Sequence, residues 1–224
     1  MVSVVGGETK FADPSAGQLT PAERVLMGTT AQGLVRFDAA GQIEPALAER
    51  WIVIDDGRSY IFRLREAYWP DGAPVTAAQV VRVLRRAAAP ASRNALAPFL
   101  AVVDEIVEMT PTVIEVRLKR PRPDLLKLFA QPELAVFRTG SLDGSGPFRA
   151  RPQPRGVLLR PVPEPGDTNK AAPEPEETVH LIGERAALAL ARFKARESDL
   201  ILGGSFVDWP LVTPAEHAPA QIQV

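Results

Sequence analysis

Residues 65–81 read REAYWPDGAPVTAAQVV, and their local signals are dense enough to order the rest of the chain. Trp69 is followed by Pro70-Asp71-Gly72, a sequence that reverses the chain because proline presets φ and glycine accepts positive φ. Thr76 and Gln79 then stand three residues apart, the spacing of a capping box in which each side chain satisfies an orphan backbone N–H. Beyond them Val80, Val83, Leu84 and Ala87 fall on one helical stripe, with Arg82, Arg85 and Arg86 toward water. Pro90 ends this helix. Trp69 itself admits two readings, an exposed platform for a ligand or a large core side chain.

The flanking segments read as β-hairpins. On the N-terminal side, Trp51 to Ile54 and Tyr60 to Arg65 enclose Asp55-Asp56-Gly57-Arg58-Ser59. Tyr60, Phe62 and Leu64 alternate with Arg63 and Arg65. On the C-terminal side, Glu105 to Met109 and Val113 to Leu118 enclose Thr110-Pro111-Thr112. A short helix is expected from Asp124 to Ala130, apolar at Leu125, Leu128 and Phe129.

Outside this hairpin-rich middle the texture is strand and helix. Val2 to Val5 is an apolar strand ended by Gly6-Gly7. The spacing of Val25, Leu26, Thr29 and Leu34 predicts a helix from Pro21 to about Leu34, with proline in its first turn. After Gly140 a proline-rich stretch begins, holding an edge strand at Val157 to Arg160 and an exposed loop near Gly166 to Pro175. Val179 to Ile182 (strand), Arg185 to Arg196 (helix) and Leu200 to Leu202 (strand) follow. The final stretch, Pro210 to Val224, does not end like a finished domain.

Composition narrows the function classes. The 224 residues suffice for one large domain or two small ones. A net charge of −1 lacks the basic excess of a nucleic-acid binder. There is no cysteine and only His180 and His217, so a zinc or iron–sulfur site is not expected. No run of 18 apolar residues occurs, and Met1 to Gly7 lack the features of a signal peptide.

Reaction chemistry is sparse. Gly6-Gly7 and Gly203-Gly204-Ser205 do not match a phosphate loop and read as turns after strands. Asp55-Asp56, ahead of a glycine between two strands, reads as turn chemistry rather than a carboxylate pair. Ser145 has no histidine near it in sequence, and His180 reads as a strand residue. Arg82, Arg85 and Arg86 read as a solvated helix face rather than a binding patch.

Taken in order, several segments resemble the solute-binding proteins of peptide-type ABC importers, extracellular solute-binding protein family 5. They are Gln32-Gly33-Leu34-Val35-Arg36-Phe37-Asp38; Gly41 with Ile43 to Trp51; Asp55 to Arg65; Trp69 to Ala77; and Gly144-Ser145-Gly146-Pro147-Phe148. The likeness covers about residues 2–150 and thins to Ala186 to Leu202. Two departures stand out. Ala31-Gln32 occupy the place of a Tyr-Glu pair, and the proline-rich loop replaces an Asn-x-x-Tyr-Trp segment.

The resemblance implies an α/β fold of the periplasmic binding protein class II. Residues 1–36 and 139–224 would form the sheet region of a first lobe. Residues 37–138 would be a hairpin-rich subdomain inserted into it. Because family members are much longer, the chain is expected to be a fragment that stops where a second lobe begins. The implied function is to capture a peptide or similar small solute between two lobes and deliver it to ABC permease subunits. No catalysis, cofactor, metal or nucleic acid is implied. The expected location is periplasmic, the leader being absent here, with membrane contact only through the permease or a lost leader or lipid anchor. Ligand positions carried over from relatives are Gly17, Gln18 and Leu19, then Phe99, then Ser145 and Gly146. The rival readings are a solute-sensing domain of a cytoplasmic transcriptional regulator and an interaction module that has lost its ligand. Within the resembled fold Trp69 is expected to pack under the capped helix near Val80 and Leu84.

Overall fold

The structure is a computed structural model that describes residues 1–162 and 177–212. The loop expected near Gly166 to Pro175 and residues 213–224 of the final stretch lie outside the described residues. Two sheets dominate. The first has five strands in the order β11-β1-β10-β9-β8. These are β1 (Val2–Val5), β8 (Phe148–Pro152), β9 (Val157–Pro161), β10 (Val179–Glu184) and β11 (Leu200–Gly203). β1 is internal and runs parallel to β10 and β11, whereas β9 is antiparallel to both β10 and β8. A strand with parallel neighbours on both sides needs apolar or internally satisfied residues. Val4 meets that need, and the buried Ser3 does so through its hydroxyl, which donates to Glu184 Oε1 at 2.7 Å.

The segment Val157 to Arg160, expected at an edge, is internal. Val157 and Leu159 are buried, and the strand is paired on both sides. The edge falls to β8, whose sequence Phe-Arg-Ala-Arg-Pro carries the charge and proline that blunt an edge. Gly156 makes the β8–β9 turn at φ +76°, where a Cβ would lie 2.1 Å from the Leu181 carbonyl oxygen.

Helix α1 (Pro21–Thr30) packs on this sheet and stops short of the expected Leu34. Two close approaches explain the early stop. Gln32 bridges to Val136, and a Cβ on Gly33 would meet the Phe129 carbonyl oxygen at 2.1 Å, so the chain leaves the helix to slip beneath it. Its start carries a capping box that the sequence reading passed over: Thr20 N–H donates to Glu23 Oε2 at 2.8 Å, and Glu23 N–H donates to Thr20 Oγ1 at 3.3 Å. The helix serves two cores. Ala22 and Leu26 join Val4, Val157, Leu159 and Leu181, while Met27 joins the larger cluster of the middle region.

That middle region begins with a two-stranded ribbon, β2 (Val35–Phe37) and β3 (Ile43–Pro45). It continues into a four-stranded antiparallel sheet of order β4-β5-β7-β6. Both expected hairpins are there, as β4 (Ala48–Ile54) with β5 (Ser59–Leu64), and β6 (Val103–Thr110) with β7 (Val113–Leu118). Asp55, Asp56 and Gly57 turn the first at φ +52°, +54° and +84°, a left-handed run that aspartate and glycine tolerate best. They are turn residues. Register sets Tyr60 opposite Val116 and Phe62 opposite Ile114, and all four are buried. This face packs on α2 (Ala77–Ala88), whose Val80, Val83, Leu84 and Ala87 are buried as the stripe predicts. The valines and the leucine each stabilise the fold by about 1.5–3 kcal/mol when fully buried. Two short helices, α3 (Ala97–Leu100) and α4 (Leu125–Phe129), close the ends, and Phe129 meets Phe62 edge to face at 5.7 Å.

Trp69 is core, 2 % exposed, and shares a cluster with Val80 and Leu84. Its indole N–H donates to Gln79 Oε1 at 3.0 Å, and the same oxygen accepts the Thr76 N–H at 3.0 Å. The capping box is thereby extended to a third group, so the tryptophan is buried with its one donor satisfied. Arg138 lies over the ring, 5.3 Å from its centroid, and grips Asp71 through two bonds of 2.6 and 3.1 Å. The turn after the tryptophan is thus pinned to the segment that leaves the middle region.

Candidate functional site

The carboxyl ends of the three parallel strands open together. β1 leads into Gly6-Gly7, β10 into α5 (Ala186–Lys194), and β11 into Gly203-Gly204. In open α/β sheets the crevice outside the carboxyl ends of the strands is where ligands bind. Here that crevice is an open cleft of about 730 Å³, lined by Val5, Leu190, Ile201, Phe206, Trp209 and Leu211 among others. Gly203 and Gly204 turn the chain at φ +77° and +100°, confirming them as turn residues. The next turn is held by Asp208, whose Oδ2 accepts the Ser205 N–H at 2.8 Å and its hydroxyl at 2.9 Å. Phe206 is thereby presented at 87 % exposure, with Trp209 at 44 %. The sequence reading missed this wall. Its available signal was Ser205 three residues before Asp208, a capping arrangement directly after a glycine pair and carrying two aromatics.

The expected ligand positions fall into two groups. Gly17, Gln18 and Leu19 lie on the loop between β1 and α1. That loop is docked on the last turn of α2, where Arg86 pairs with Asp13, and on the segment after it, where the Arg93 N–H donates to Ser15 O at 3.0 Å. Gln18 lines a second open cleft of about 760 Å³, together with Arg93, Asn94 and Pro98. Leu19 turns inward onto the core. Phe99, on α3, is half-exposed beneath the Arg122 guanidinium, 5.6 Å from the ring centroid.

Ser145 and Gly146 form the other group, packed against the end of α1. Gln32 Nε2 donates to Ser145 O at 2.7 Å and to its Oγ at 3.2 Å, and the Gly146 N–H donates to Thr30 O at 2.9 Å. A Cβ on Gly144 would meet Thr30 O at 2.3 Å, and one on Gly146 the Thr30 carbonyl carbon at 2.5 Å. Glycine is therefore required at both places for close backbone packing. Gln32, noted as a departure from the family pattern, ties this crossing to α1. Arg149 donates to Gly146 O at 3.0 Å, and its burial pushes the guanidinium below its ordinary value against the opposing pull of Asp143.

The remaining sequence candidates resolve into structural roles. His180 sits in β10 with Nε2 at 2.6 Å from the Arg155 carbonyl, which requires a proton on that nitrogen. Arg85 donates to Ile106 O at 2.8 Å and Arg86 pairs with Asp13, so two of the three helix arginines bind neighbouring backbone or loop rather than facing water alone. Among the described residues no group of His, Cys, Asp and Glu could hold a metal ion, and no helix is long and apolar enough to cross a membrane.

Comparison with known proteins places these features. The sequence profile of the bacterial extracellular solute-binding proteins, family 5 Middle, matches residues 42–216. The chain is 42% identical over 98 residues to the probable deoxycholate-binding periplasmic protein YgiS of Escherichia coli K12, covering 40% of this chain and 18% of that protein. To the glutathione-binding protein GsiB of the same strain it is 29% identical over 147 residues, 65% of this chain and 28% of GsiB. The matched stretches thus span less than a third of the length of these relatives. In three dimensions it superposes on OppA of Haemophilus influenzae, solved in complex with RPPGFSPFR, with a TM-score of 0.75 at 20% identity. That match covers 89% of this chain and 45% of OppA, and it identifies the fold as the α/β periplasmic binding protein type. With the profile spanning most of its residues, the chain belongs to the bacterial extracellular solute-binding proteins, family 5.

Proposed function

We propose that the chain supplies the first lobe of the solute-binding component of a peptide-type ABC importer. It would capture a peptide or similar small solute against a second lobe and deliver it to the membrane permease. The observation that carries this reading is the open cleft at the joined carboxyl ends of β10, β1 and β11, where exposed Phe206 and Trp209 offer one wall of a two-walled trap. Closure is favoured when contacts form only in the closed state, and a half-exposed aromatic wall provides contacts of that kind. The relatives named for glutathione and solved with a peptide support the peptide class. The periplasmic naming of YgiS supports the same compartment for this protein.

In this reading residues 1–36 and 139–224 are the lobe's sheet region and residues 37–138 the inserted subdomain. Gly17 and Gln18 face solute from the docked loop and Phe99 from α3, Leu19 fixes that loop on the core, and Ser145 and Gly146 set the backbone crossing between sheet and insert. The role is binding without catalysis. Residues 1–224 alone should show no micromolar peptide binding by titration calorimetry, because one wall forfeits most of the contact. The full-length protein, purified from its host and weighed by native mass spectrometry, should carry a small solute. Tight peptide binding by this chain alone, or a full-length protein that never carries solute, would each defeat the proposal.

A further inference from the structure

We infer that Arg93 anchors an anionic group, a carboxylate or a phosphate, in the cleft between the loop after β1 and the segment after α2. The inference rests on the reading of these two loops as facing solute. The cleft, about 760 Å³, is within the range that holds a small ligand. Its walls come from three separate parts of the chain: Gln18, the stretch from Ala88 to Ala101, and the paired strand ends carrying Asp104 and Lys119.

Arg93 is held by its backbone and free at its tip. Its N–H donates to Ser15 O at 3.0 Å, fixing the base of the side chain against the opposite wall. The next residue is rigid as well, since Asn94 is buried, donates from Nδ2 to Glu133 O at 2.7 Å and accepts the Leu96 N–H at 2.9 Å. The Arg93 side chain is exposed, and among the described residues no hydrogen bond or ion pair engages its guanidinium. The two other charged residues of the lining, Asp104 and Lys119, are of opposite sign. Lys119 Nζ donates to Ala101 O at 3.2 Å, and Asp104 lies on the strand paired with the one that Lys119 follows. The uncompensated charge of the lining is therefore that of Arg93, and Gln18 adds an uncommitted amide to the same lining.

An arginine with a fixed base and five free donors matches the planar, two-oxygen face of a carboxylate or the oxygens of a phosphate. A neutral solute would leave this donor fork unused. Aligned carboxylate or phosphate groups would be gripped before the lobes close.

The test is an NMR titration of the ¹⁵N-labelled chain with glutarate, inorganic phosphate and, as the neutral control, glutaramide. Glutarate or phosphate should shift the Arg93 side-chain and Gln18 amide signals saturably, with roughly millimolar affinity, and glutaramide should not. The anion with the lower Kd identifies the source of the charge. Arg93→Gln should weaken that binding roughly tenfold or more, as expected for losing a hydrogen bond to a charged group, with an unchanged melting temperature. Arg93→Lys, which keeps charge without the fork, should fall between. Flat titrations, equal response to glutaramide, or an unchanged Kd in Arg93→Gln would overturn the inference. Should the full-length protein carry solute while both anion titrations stay flat, the inference fails and the proposed function stands. Anion binding in this chain beside an empty full-length protein would point the other way.

Discussion

Two Trp-Pro pairs in this chain have opposite fates. Trp69-Pro70 precedes Asp71-Gly72, and Trp209-Pro210 follows Asp208, so each tryptophan has a proline after it and an aspartate within two residues. Yet Trp69 is 2 % exposed and Trp209 is 44 % exposed. Around Trp69 every polar demand is met from within the chain: its N–H by Gln79, its turn by the Ala73 N–H on Asp71, and its ring face by Arg138. Around Trp209 the aspartate holds only its own turn, and the aromatics look outward into an open cleft. The local words are alike. What sets Trp69 apart is α2, whose apolar stripe covers its ring.

The largest way to break that contrast is to truncate both rings. Trp69→Ala should destabilise the chain by about 3–5 kcal/mol, the range for removing a buried aromatic, read as a fall in denaturant midpoint. Trp209→Ala should stay within about 0.5 kcal/mol of wild type, as surface changes do. Comparable losses from the two substitutions would refute the division into a closed core and an open wall.

A smaller effect separates the two capping boxes. Thr76→Ala takes away the Oγ1 that accepts the Gln79 N–H, loosening the cap of α2 at the residue whose side chain also holds Trp69. Thr20→Ala removes a cap that serves α1 alone. Both should cost about 0.5–2 kcal/mol, with Thr76→Ala the larger and accompanied by a change in Trp69 fluorescence. If Thr20→Ala proves the costlier, the indole has no share in the cap.

Much of the closed region was legible because its signals are local. Thr76 and Gln79, the alternation of Tyr60, Phe62 and Leu64, and the Asp55-Asp56-Gly57 turn each act over a few residues. Places where the reading slipped depend on distant neighbours. Nothing near Leu34 says that Gly33 must pass under the Phe129 carbonyl, and nothing near Val157 says that β8 will pair outside it. The site was the least legible part. Its outward wall at Phe206 and Trp209 arises because three strands from opposite ends of the chain finish side by side, and Gln18 meets Arg93 only through the docking of two loops. Turn-like glycines and unpaired arginines look the same in a sequence whether or not such a meeting occurs.

The finest distinction lies in acid. Asp71 is held down to about 2 by its two bonds from Arg138, with help from the Ala73 N–H. A carboxylate whose folded value is depressed binds its proton more readily in the unfolded chain. Its contribution to stability is therefore complete above the ordinary value of 3.8 and is lost as pH falls through about 2. The pair is exposed, so salt and solvent keep its contribution small. Melting curves of wild type and Asp71→Asn should differ at pH 6 and converge between pH 4 and pH 2. Asp71→Asn that melts like wild type at pH 6, or a gap that widens in acid, would mean that Arg138 covers Trp69 without any help from the carboxylate it grips.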